Sequence, residues 1–124
     1  MEQLVRNALR TPDGTVLESR HRHDYKTHTD SIDGLEYMVD GGLDYVRRRE
    51  NLGQDLCVYT YDSFELKRES FTWGTYGISG NEPLRHVALS DMSTGHIKAI
   101  LKTQTLRTWT KELMEAELGY RETT

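Results

Sequence analysis

Met92-Ser93-Thr94-Gly95-His96-Ile97 is the stretch on which the fold turns. The Ser93 hydroxyl can cap the free N–H groups of a helix, and Met92 and Ile97 flank it as a hydrophobic staple. Downstream, Ile97, Ile100 and Leu101 give the predicted helix an apolar side. Leu106, Trp109, Leu113, Ala116 and Tyr120 predict a second helix at three- and four-residue spacing.

Upstream the pattern is that of strands. Gln3 to His23 reads as a hairpin joined at Thr11-Pro12-Asp13-Gly14, where proline pre-sets the first turn dihedral and glycine tolerates positive φ. Alternation on the return strand puts Val16, Glu18, Arg20 and Arg22 on one face, and Leu17, Ser19, His21 and His23 on the other. Tyr25 to Val39 predicts a second hairpin across Asp30-Ser31-Ile32-Asp33-Gly34, and Gly41-Gly42 breaks the pattern after it. Leu43 to Glu50 suits a strand or one helical turn. Leu56 to Tyr61 and Leu66 to Tyr76 predict further strands, the latter core-facing at Phe71 and Trp73, and Val87-Ala88-Leu89 is a short apolar stretch.

Strands first and helices last predict an α+β fold: a mostly antiparallel sheet over residues ~3–89 packed by two C-terminal helices. Its expected core joins Phe71, Trp73, Ile97, Leu101, Trp109 and Leu113. A chain of 124 residues predicts a single domain, 1–124. Sixteen Lys and Arg against twenty Asp and Glu leave a net charge of −4, which argues against general nucleic-acid binding. The one cysteine, Cys57, cannot form an internal disulfide, and no apolar run approaches the roughly 18 residues of a membrane span. Those features, with no signal-like N-terminus, predict a soluble cytoplasmic protein without a membrane partner.

The densest polar constellation is Arg20-His21-Arg22-His23-Asp24, with His28 nearby. Two histidines spaced by two on a strand could serve as metal ligands or as an acid and a base. The metallohydrolase pattern His-x-His-x-Asp-His fails, because Tyr25 and Lys26 occupy the required Asp and His positions. Hydrogen-bonded structural histidines are the more frequent case, so catalysis is the weaker reading. Arg47-Arg48-Arg49 is the largest basic block, and guanidinium forks suit phosphate or carboxylate. Tyr25, Tyr45, Trp73 and Tyr76 are available as aromatic platforms; Tyr76, between Gly74 and Gly77, is the best exposed candidate. No phosphate loop or serine elbow is present, and Cys57 reads as a small buried hydrophobe without an adjacent base.

Arg6-Asn7-Ala8, Pro12-Asp13-Gly14-Thr15, residues 18–24, Val39-Asp40-Gly41-Gly42-Leu43-Asp44-Tyr45 and Thr72-Trp73-Gly74-Thr75-Tyr76-Gly77 together resemble a family of small uncharacterised proteins of tailed bacteriophages. The resemblance implies a fold unit complete in itself and a role in the cytoplasm of an infected bacterium. It transfers no catalytic residue. By association, it implies an accessory factor that binds a host protein or a defence signalling nucleotide.

The expected function is therefore a non-enzymatic, cofactor-free and metal-free binding protein, an inhibitor of host defence. Arg20, His21, Arg22, His23, Arg47, Arg48 and Tyr76 are its expected contacts to a host protein or small anionic ligand. The alternative is a small phosphodiesterase or other hydrolase using His21, His23 and Asp24, and a third reading is a structural phage protein that self-associates as a homo-oligomer.

Overall fold

A computed structural model describes residues 3–48, 53–77 and 79–123. The chain divides into two compact units, Met1–Asp62 and Ser63–Thr124. The fold class is α+β, with antiparallel strand pairing throughout and two C-terminal helices; the strands fall into three sheets.

In the first unit, β1 (Leu4–Arg10) pairs with β2 (Val16–Ser19), and the turn between them closes with Gly14 N–H donating to Thr11 O at 2.9 Å. A second sheet takes β3 (Lys26–Thr29), β4 (Glu36–Asp40) and β5 (Arg47–Arg48) in that order. The short strands β6 (Gln54–Asp55) and β7 (Val58–Tyr59) return to β1. Leu9, Leu17, Tyr37 and Val39 form the buried cluster of this unit. Both expected hairpins are present. Arg49 and Glu50 lie outside the described residues, and the preceding stretch is resolved as a turn followed by β5.

Two expectations need correction here. Strand β2 ends at Ser19, so the alternation does not reach His21 and His23, and residues 20–24 instead turn back with Asp24 N–H donating to His21 O at 2.9 Å. Side chains drive the change: Ser19 Oγ donates to Asp24 O at 2.7 Å, and Asp24 Oδ2 accepts from Arg20 N at 2.9 Å, giving the backbone partners outside a ladder. Cys57 lies between β6 and β7 and is half-buried, with its Sγ 3.1 Å from Arg48 Nη2.

The second unit runs α1 (Phe64–Ser70), β8 (Thr72–Thr75), β9 (Arg85–Ala88), a 3₁₀ turn (Leu89–Asp91), α2 (Thr94–Thr103) and α3 (Thr108–Thr123). Residues 66–70 are thus helical and only 72–75 extended, because Ser63 Oγ accepts from Leu66 N and caps a helix where a strand was expected from Leu66 onward. At α2 the cap expected at Ser93 is present, accepting from His96 N at 3.1 Å, and Met92 and Ile97 beside it are buried. Phe71, Ile97, Trp109 and Leu113 belong to the core, Phe71 and Trp109 meeting edge-to-face with centroids 5.8 Å apart. Trp73 and Leu101 are only half-buried: Trp73 sits on a two-stranded ribbon opposite Val87, where no third strand covers it. No described helix is long and apolar enough to cross a membrane.

Candidate functional site

The basic turn of the first unit is held from beneath by two buried polar side chains. Asn7 on β1 is fully buried, and its Nδ2 donates to Asp40 O and Gly42 O at 2.9 Å each, with Tyr45 O at 3.2 Å. A buried amide must find such partners, and here they are the carbonyls of one loop, which is thereby tied to β1. Ser19 Oγ accepts from Gly42 N at 2.8 Å while donating to Asp24 O, so it joins residues 41–45 to residues 20–24. The approach is too close for any side chain at position 42: a Cβ there would lie 2.2 Å from the His21 carbonyl carbon, at a φ of +55°.

Strand register puts this clamp at one end of the second sheet, where Lys26 faces Val39 and Arg47 faces Asp40. His21, Arg22 and His23 are exposed on the turn, and their side chains make no hydrogen bond or ion pair with a described residue. Arg47 is also exposed and reaches Asp40 Oδ2 only at 3.5 Å. Arg20 pairs with Glu18 at 3.2 Å. Asp24 is occupied by Arg20 N and by Lys26 Nζ at 3.0 Å; burial opposes its ionisation, but these donors outweigh it and hold the carboxyl below its usual value. That leaves Asp24 a structural anion.

Arg48 departs from the expected patch. Its Nη1 lies 3.4 Å from Asp55 Oδ1, its Nη2 contacts Cys57 Sγ, and its Nε is buried without an acceptor among the described residues. It braces the β6–β7 junction. Burial pushes the Cys57 thiol up, so the thiolate needed of a nucleophile is disfavoured. Tyr76 belongs to the second unit, exposed on the segment that follows β8.

Sequence reasoning missed a different cluster. Among the described residues, Asp13, His28 and Asp30 bring a possible metal-ligand set within 4.8 Å of one another. Their lone pairs are already engaged. Asp13 Oδ1 accepts from Thr11 Oγ1 at 2.6 Å and Thr15 N at 3.0 Å, and its Oδ2 accepts from Ser31 N at 2.9 Å with His28 Nε2 at 2.8 Å. Asp30 accepts from Asp13 N on one oxygen and from Ile32 N and Asp33 N on the other. The Thr11 hydroxyl, followed by His28 and Ser31, holds the Asp13 carboxyl far below the usual range. For Asp30 burial acts the other way, but the N–H groups of Asp33, Asp13 and Ile32 prevail and its carboxyl is also lowered. Tyr37 donates its hydroxyl to Asp33, a bond that together with burial pushes the phenol up to about 12. The set is a clasp between two hairpin turns and does not fit a resident cation.

No family model, curated protein or solved structure matches the chain.

Proposed function

We propose that the protein is a non-enzymatic binding protein that docks an acidic partner surface on the clamped end of its first unit, through His21, Arg22, His23 and Arg47. The supporting observation is the contrast at that end: Asn7, Ser19 and Gly42 hold the backbone in place, while the side chains of His21, Arg22 and His23 make no hydrogen bond or ion pair with a described residue. A backbone already held in place loses less ordering entropy on binding than a mobile one. The turn is exposed, which suits a partner surface better than an enclosed small ligand.

The segments 18–24 and 39–45, which carry part of the resemblance to the phage family, are the two that the clamp joins. An accessory protein that occupies an acidic surface of a bacterial host protein is the role this favours. The hydrolase reading loses its third residue, since Asp24 is committed to Arg20 N and Lys26. Surface plasmon resonance with poly-L-glutamate as probe tests the reading. The native chain should bind, and the triple variant H21Q/R22Q/H23Q should bind at least about tenfold more weakly with an unchanged melting temperature. Equal binding by the two would overturn it.

A further inference from the structure

The second unit holds a cleft of about 680 Å³ between the loop end of the β8–β9 ribbon and the first turn of α2. That volume lies within the roughly 300–1,000 Å³ of small-molecule sites. Arg85 on the ribbon and His96 on the helix both line it, and neither side chain makes a hydrogen bond or ion pair with a described residue. Val87 and the buried Met92 supply apolar wall, and Asp91 adds one carboxylate.

Gly95 lines the cleft from the first turn of α2, and a Cβ at this position would meet nothing within 4 Å. The missing side chain leaves the backbone approachable from the cleft, where the N–H groups of Thr94 and Gly95 have no intrahelical acceptor and Ser93 is already occupied with His96 N.

We propose that this cleft binds a phosphomonoester of nucleotide size, with the phosphate against Arg85, His96 and the backbone at Gly95. Planar guanidinium and helical N–H groups suit a phosphate dianion. Asp91 can accept from hydroxyls of the attached group and repels further phosphates, so a monophosphate is preferred to a triphosphate. The site lies in the second unit and does not depend on the docking surface of the first.

Titration calorimetry on the full chain tests it, with AMP as the probe and adenosine, inorganic phosphate and ATP as comparisons. AMP should bind, adenosine should not, inorganic phosphate should compete weakly, and ATP should bind less tightly than AMP. Arg85→Gln should weaken AMP binding at least about tenfold. Gly95→Ala should do the same while leaving the melting temperature equal or higher, a combination that damage to the fold would not produce. H21Q/R22Q/H23Q should bind AMP as the native chain does. Failure of AMP to bind at millimolar concentration, equal binding of adenosine or of ATP, or unaltered AMP binding in either cleft variant would overturn the assignment.

Discussion

Ser19 Oγ accepts the Gly42 N–H at 2.8 Å, and through this bond the turn after β2 is joined to the loop after β4. The two residues are twenty-three positions apart in sequence. Because the same hydroxyl donates to Asp24 O, both segments share one fixed point. The turn therefore keeps its shape without drawing on the side chains of His21, Arg22 or His23.

Gly42→Ala should break this arrangement. The added carbon would lie 2.2 Å from His21 backbone at a φ that L-residues rarely adopt, so the loop or the turn must move. The expected loss is about 1–3 kcal/mol in urea unfolding, accompanied by weaker polyglutamate binding. Ser19→Ala should show the same coupling in milder form.

Glu117 is fully buried on α3, with Oε1 2.7 Å from Arg68 Nε and Oε2 2.8 Å from Arg121 Nε. Replacing it by Ala leaves two half-buried guanidinium groups without their counter-charge and should cost about 3 kcal/mol in chemical denaturation. Burial raises the Glu117 pKa, but Arg68 and Arg121 outweigh it and the folded-state value is lowered. Its contribution is therefore complete above the unfolded value of about 4.3 and is lost as pH falls through the lower folded value.

The clasp at Asp13 and Asp30 obeys the same sign. Both carboxyls are lowered in the folded protein, so protonation favours unfolding, and thermal melts should fall as pH drops below about 4. Asp13→Asn removes the acceptor at one oxygen and should lower the melting temperature at neutral pH while flattening its dependence on acid. A mutant with the native acid profile would place the sensitivity elsewhere.

Trp109→Ala should remove the ring that meets Phe71 edge-to-face in the second unit. A cost of about 3–5 kcal/mol is expected for truncating a buried tryptophan. An unchanged unfolding midpoint would contradict the packing.

The parts of the fold legible in sequence are those with local causes. Pro12-Asp13-Gly14 makes its own turn, and Ser93 with Met92 and Ile97 starts α2. Helix α1 was not legible, since seven residues are too few to display a helical stripe and the polar alternation at Lys67 and Glu69 imitates a strand running into Phe71 and Trp73. Around the site, the polar run at residues 20–24 could be read directly, whereas the diversion of Arg48 to Asp55 and Cys57 depends on tertiary contact. Asp13 and Asp30 stand seventeen residues apart on separate hairpins, and Arg85 and His96 come from a strand and a helix, so neither grouping has a sequence spacing to announce it.

The most direct test of the docking surface is a ¹⁵N-resolved NMR titration of the native chain with poly-L-glutamate. Amide shifts should move together at residues 20–26 and 41–48, the two segments joined by Ser19, while those of the α2 first turn stay in place. Shifts concentrated on other residues, or none at a glutamate excess, would contradict it.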